Sequence, residues 1–296
     1  MRIGLVTILG FMLIAGAYGQ TPVKVTGEGI TEGFWRYEKF ASNVVAPRNV
    51  DVWLPAGYRS NKKYAVLYMH DGQNLFNPKE SYAGVDWGID ETMTRLVAEK
   101  KIRDTIVVGI WNTPQRFEEY MPQKAFEMMN AEQREELRKF NRSDKILADN
   151  YLTFLVTELK PFIDKTYSTK RDSANTFIMG SSMGGLISLY AISEYPGVFG
   201  GAGCVSTHFP VGKGVVIDYM AKKLPPPGDR KIYFDYGTET LDATYEPYQL
   251  KADEVMKVVG YTRGKNWITQ KFPGEEHSEK SWRKRVDIPL VFLLAK

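Results

Sequence analysis

A chain of 296 residues, 43% of them hydrophobic and with a formal net charge of +4, is long enough for one large domain with its own core. It is too weakly charged to argue for a nucleic-acid partner. The single cysteine, Cys204, excludes an intramolecular disulfide; within the apolar run GGAGCVS it reads as a small buried hydrophobe.

The first segment, MRIGLVTILGFMLIAGAYG (1–19), reads as a signal peptide. It has one positive charge at Arg2, an apolar stretch over 3–17, and small residues Ala17 and Gly19 flanking Tyr18. The apolar stretch is shorter than the roughly 20 residues of a membrane span, and no cysteine follows to carry a lipid. The expectation is export to the periplasm or outside. Residues 20–296 would then form one domain with no stable membrane anchor after cleavage.

Runs rich in β-branched and aromatic residues follow at 34–40, 48–54, 64–69, 105–110, 175–179, 201–205, 231–236 and 267–272. Helical patterns lie at about 87–100, 148–164, 183–194, 248–259 and 279–294. This alternation predicts an α/β fold, a mostly parallel central sheet with helices on both faces. No helix separates the first two strands, which predicts an antiparallel N-terminal edge. PPPG (225–228) reads as a stiff loop, and KSWRKRV (280–286) as the solvated face of a helix. Segment 117–147 is charged and Met-rich, with one helix near 131–140, and is either a cap over the site or a decorated crossover.

Ligands of such sheets bind beyond the carboxyl ends of the strands. One of these ends carries GSSMGG (180–185). Gly180, Ser182 and Gly184 fit G-x-S-x-G between a strand and a helix, a turn so sharp that side chains two positions either side of the serine would collide. Ser182 is the candidate nucleophile, and the Met183 amide at the helix N-terminus a candidate oxyanion donor. A serine needs a base. His277 follows the last strand, in the chain order serine, acid, histidine. The acid should follow KIYFDYG (231–237). Asp242 is preferred to Glu239, and Asp235 lies inside the strand. His208 could line the acyl or leaving-group pocket. Trp87, Trp111, Phe209 and Tyr245 fall near strand ends, either stacking on a ring of the substrate or belonging to the core. His70 and Asp71 have no second histidine at ligand spacing, so no metal is expected.

These residues, with VLYMHDGQNLF (66–76), VVGIWNTPQRFEEYMP (107–122), YLTFLVTELKPFIDKTY (151–167), FIMGSSMGGLISLYAISEYPGVFG (177–200) and HSEKSWRKRV (277–286), resemble the esterases of the α/β-hydrolase superfamily. That group includes feruloyl and acetyl-xylan esterases, S-formylglutathione hydrolases, enterochelin-type esterases and mycolyl transferases. The resemblance implies the α/β-hydrolase fold, Ser182 and His277 as nucleophile and base, and a second oxyanion donor near Asp71 or Gly72. It also places Arg116, Glu119 and Tyr120 beside the site. In one respect the chain departs from it: many relatives carry the acid where this sequence has Thr240. The implied reaction is ester hydrolysis through an acyl-enzyme, without cofactor or metal, on a small-molecule or carbohydrate-linked ester such as an acetyl, feruloyl or siderophore ester. An acyltransferase, or a binding protein with a disabled site, are the alternatives.

Overall fold

The computed structural model describes residues 21–140 and 145–296; the expected signal peptide lies outside the described residues. Among the described residues nine strands form one sheet: β1 (Val23–Val25), β2 (Phe34–Phe40), β3 (Arg48–Trp53), β4 (Ala65–His70), β5 (Thr105–Ile110), β6 (Thr176–Ser181), β7 (Gly201–Val205), β8 (Lys231–Gly237) and β9 (Trp267–Phe272). Their order is β1-β2-β3-β5-β4-β6-β7-β8-β9. The pairs β1–β2, β2–β3 and β3–β5 are antiparallel, and every pair from β5 to β9 is parallel. The antiparallel N-terminal edge is therefore present, with β1 as an outer strand that its three residues were too few to reveal.

Successive side chains of a strand point to opposite faces, and the central strands are apolar on both. Val66, Tyr68, Ile106, Val108 and Ile178 face one hydrophobic cluster. Leu67, Met69, Val107, Phe177 and Met179 face the other. The first cluster is closed by α5 (Ala148–Thr153), a π-helical stretch (Phe154–Leu159), α6 (Lys160–Thr166), α7 (Met183–Glu194), α8 (Val215–Lys223) and α9 (Glu246–Val259). The second is closed by α1 (Ile89–Ala98), α10 (Glu279–Arg283) and α11 (Asp287–Leu294). No helix among the described residues is long and apolar enough to cross a membrane.

Segment 117–147, apart from 141–144, forms part of α2 (Arg116–Tyr120), then α3 (Gln123–Glu127) and α4 (Ala131–Phe140). Helix α4 is tied to the turn before α8: Gln133 Nε2 donates to the Gly212 carbonyl at 2.7 Å, and Lys213 pairs with Glu132 at 2.6 Å.

The reading of 280–286 as a solvated face is corrected. Lys280 and Lys284 are exposed, but Trp282, Arg285 and Val286 are buried, because Arg285 turns inward to pair with Asp235 under the sheet's carboxyl edge. Cys204 is buried, as its apolar surroundings suggested.

Candidate active site

Strand β6 runs straight into α7, and Ser182 occupies the junction at φ 58°, ψ −119°. A non-glycine residue is rarely held there, and such strain gathers at functional sites. Gly180 lets the turn close: a Cβ on it would lie 3.0 Å from the Gly184 backbone. The Ser182 amide donates to the Val205 carbonyl at 2.9 Å, and its carbonyl accepts from the His208 amide at 3.2 Å. The serine is thereby pinned between β7 and the loop that follows it.

Beyond β8 the chain enters a 3₁₀ turn, Thr240–Thr244. Thr240 adopts a left-handed φ of 52°, which swings Asp242 back over the sheet. The Asp242 carboxylate is 1% exposed. Its Oδ1 lies 2.6 Å from His277 Nδ1, and its Oδ2 accepts from the Gly237 amide at 2.6 Å and the Ser206 hydroxyl at 2.7 Å. Burial alone would raise this carboxyl; the His277, Ser206 and Gly237 donors outweigh it and hold Asp242 below the usual carboxylate range. Thr240, standing where many relatives have their acid, accepts the His277 amide on Oγ1 at 2.9 Å. The imidazole is held edge-to-face by Trp282 (4.9 Å between centroids) and Tyr245 (5.7 Å). Glu239 is exposed and lies outside this arrangement, and Asp235 is paired with Arg285.

The turn after β4 faces Ser182 from the other side. Asp71, at φ 56°, forms two bonds to Arg116 (2.7 and 2.8 Å) and accepts from Asn112 at 2.7 Å. Burial pushes the Asp71 carboxyl up, but Arg116 and Asn112 prevail and hold it low. The Asp71 amide donates to the Tyr120 hydroxyl at 3.3 Å and is therefore already engaged. Gly72 is required by packing, since a Cβ there would sit 2.6 Å from the Gly109 carbonyl carbon.

Two clefts meet at Ser182. One, of about 360 Å³, is polar and includes Asp71, Gln73, Asn74, Asn112, Arg116, Glu279 and His277, with Tyr82 at its edge; Tyr82 is 91% exposed. The other, of about 470 Å³, is mostly apolar and includes Phe117, Leu137, Met183, His208, Val211 and Leu241. His208 Nδ1 lies 2.6 Å from the Tyr245 hydroxyl, and burial, with His277 nearby, lowers its pKa to about 4.

Three expected contact residues are corrected. Glu119 is fully buried in an ion pair with Arg48 (2.6 Å), and Tyr120 is equally buried beneath the Asp71 turn. Trp111 donates its indole N–H to Asp51 at 2.8 Å and lies under Arg36, lining neither cleft. Their sequence neighbourhood pointed to the site, but burial removes Glu119 and Tyr120 from its surface, and the bond to Asp51 turns Trp111 away from it. Trp87, Phe209 and Tyr245 are buried. The sequence reading did not single out Gln73, Asn74, Asn112 and Tyr82; their positions after β4 and β5 were the available signal. Among the described residues, Asp86, Asp90 and Glu91 bring three carboxylates within 4.8 Å of one another away from this site. Arg283 already pairs with two of them.

A serine on a strained strand-to-helix turn, sharing a cleft with a carboxylate-bound histidine at the carboxyl edge of a mostly parallel sheet, fits the α/β-hydrolase class. Within that class, the chain belongs to the family described as "Putative esterase", whose profile matches residues 42–287, and so stands among the carboxylic ester hydrolases. It is 23% identical over 198 residues to the uncharacterized protein YbbA of Bacillus subtilis (strain 168), covering 65% of this chain and 68% of that one. It is 28% identical over 164 residues to an endo-1,4-beta-xylanase/feruloyl esterase of Xylanibacter ruminicola, covering 54% of this chain but 19% of that one. The fold is similar to an IroE-like serine hydrolase from Shewanella oneidensis: TM-score 0.64, 18% identity, 88% of this chain and 80% of that one.

Proposed function

We propose that the protein hydrolyses carboxylic esters through an acyl-enzyme on Ser182. His277 takes the serine proton as Oγ attacks the ester carbonyl, and Asp242 holds the imidazole in the tautomer that can accept it. The amides of Met183 and of the turn after Asp71 stabilise the tetrahedral oxyanion. His277 returns the proton to the leaving alcohol, then activates water to release the acid. The observation that carries this reading is the convergence of Ser182 with the His277–Asp242 pair where two clefts meet.

The clefts divide the substrate. The leaving oxygen must reach the protonated base, and His277 lines the polar cleft, so the alcohol lies there. The acyl group then falls into the apolar cleft beside Met183. That cleft is far larger than an acetyl group, which favours an aryl or longer acyl group, as in a hydroxycinnamoyl ester. Planar carboxamides, Arg116 and an exposed tyrosine suit an alcohol rich in hydroxyls, consistent with a carbohydrate-linked ester. Export by the 1–19 segment would put the enzyme where such polymers occur.

Hydrolysis of p-nitrophenyl acetate, butyrate and ferulate by the wild type and by Ser182→Ala tests the proposal. Turnover that disappears in the variant, with ferulate or butyrate preferred to acetate, is the expected result. Equal rates in both proteins would sink it.

A further inference from the structure

Behind Asp242 lies a hydroxyl whose proton has one destination. Ser206, fully buried just past β7, accepts on Oγ from Trp282 Nε1 and from Arg285 Nη2, each at 3.0 Å. Indole and guanidinium N–H groups can only donate. The single Ser206 proton is therefore left for Asp242 Oδ2, 2.7 Å away. The arrangement is anchored from below. Asp235 accepts from the Ser206 amide at 3.0 Å and the Tyr233 hydroxyl at 2.7 Å, and it pairs with Arg285 at 3.2 Å. Asp235 and Arg285 are 0% and 3% exposed, so this charge pair is held by partners and not by water.

We propose that Ser206 is a positioning residue of the hydrolytic site: oriented by Trp282 and Arg285, it donates to Asp242 and fixes the carboxylate edge presented to His277. The inference rests on the triad reading above. It also links two parts of the chain. His277, Trp282 and Arg285 belong to one C-terminal stretch, while Asp242 follows β8, and the Ser206 hydroxyl locks the acid to the stretch that carries the base. A carboxylate with only the Gly237 amide on Oδ2 could rotate about its own axis and misalign the imidazole. The charged or titratable groups around this assembly include Asp235 and Arg285 beneath Ser206, Tyr233 and Cys204 beside Asp235, Glu275 near Arg285, and His208, Tyr245 and Glu279 about His277.

Backbone geometry supplies a clean variant. Ser206 has φ 39°, a left-handed conformation that glycine adopts without strain, so Ser206→Gly deletes the hydroxyl while relieving the backbone. The experiment compares kcat/KM against pH for the wild type, Ser206→Gly, Ser206→Ala and Ser182→Ala on one p-nitrophenyl ester, alongside thermal unfolding. For Ser206→Gly we expect an unfolding midpoint below wild type, because the buried Trp282 and Arg285 donors lose their acceptor, but no lower than that of Ser206→Ala, which keeps the backbone strain; KM should be little changed. Its kcat/KM should fall about ten- to a hundredfold, the worth of one hydrogen bond to a charged group. The acid limb of the profile should move to higher pH, because a carboxylate with one donor fewer is more basic and retains the imidazolium proton longer. A folded variant with wild-type rate and an unmoved limb overturns the proposal. Activity surviving in Ser182→Ala overturns the serine reading and this inference with it; an inactive Ser182→Ala beside a fully active Ser206→Gly overturns the inference alone. If neither Ser206 variant folds, Trp282→Phe removes one of the two donors that aim the hydroxyl. It should shift the limb in the same direction by less, and an unmoved limb there counts against the proposal.

Discussion

Asp242 became the partner of His277 through a backbone detail two residues earlier. The sequence offered Glu239 and Asp242 after β8 and Asp235 within it, and the resemblance suggested the position of Thr240. With Thr240 at φ 52°, the turn tightens and Asp242, not Glu239, reaches Nδ1 of the histidine. Asp242→Asn should lower kcat by as much as about 10⁴-fold, the size of effect seen when a triad histidine loses its carboxylate. Glu239→Gln, at an exposed residue, should leave kcat unchanged; steady-state assays of the two variants decide between the acids. That Ser182 and His277 share a cleft was legible, because G-x-S-x-G and the chain order serine, acid, histidine set both positions. The pairing of Arg116 with Asp71 was not, since it joins residues on two strands' loops whose approach only the sheet order reveals. Nor was the burial of Glu119, whose ion pair with Arg48 spans the antiparallel edge.

At the scale of elements, the strands were easy to read and the helices less so. Central strands are short apolar runs with turn residues at both ends, whereas α8 begins Val-Val-Ile, a β-branched start that hides a helix. The expected helix 279–294 divides into α10 and α11 because Pro289 has no N–H to offer the carbonyl four residues back, so a new first turn begins before it. Pro161 acts differently: the helix passes through it after widening into the π-helical stretch Phe154–Leu159. On the proposed mechanism helix α4 bears on acyl specificity, because Leu137 forms part of the apolar cleft's wall. Leu137→Trp should narrow the cleft, lowering kcat/KM for p-nitrophenyl butyrate and ferulate while sparing acetate. A uniform drop across the series would mean that the cleft does not hold the acyl group.

For the whole molecule, the alternation of strands and helices predicted the sheet and its covered faces, because burial on both sides imposes an unmistakable composition on β4, β5 and β6. The same burial sets a pH dependence. His70 is fully enclosed, with Nδ1 on the Tyr151 hydroxyl at 2.8 Å and Nε2 without a partner. Burial lowers its pKa to about 3 from 6.5, and that of His208 to about 4. Between those values and 6.5 the unfolded chain binds protons that the native one refuses, so stability is full above pH 6.5 and declines on acidification. Asp71 and Asp242, both held low, lose their stabilising contribution further down as they too become protonated. Thermal midpoints measured from pH 7 to 4 should fall, and His70→Asn should flatten the slope over the upper part of that range. A slope identical to wild type would remove His70 as a cause.

Residues 277–294 supply the proposed base, the two groups proposed to aim Ser206, and through α11 part of the cover for one face of the sheet. During synthesis the ribosome releases Ser182 and the strands around it well before any of these. At that stage a nascent chain would carry the proposed nucleophile beside an uncovered sheet, without the groups proposed to activate it. On the proposed mechanism, hydrolytic competence and closure of the second core both wait for residues 277–294, so a chain interrupted before them is expected to be inert.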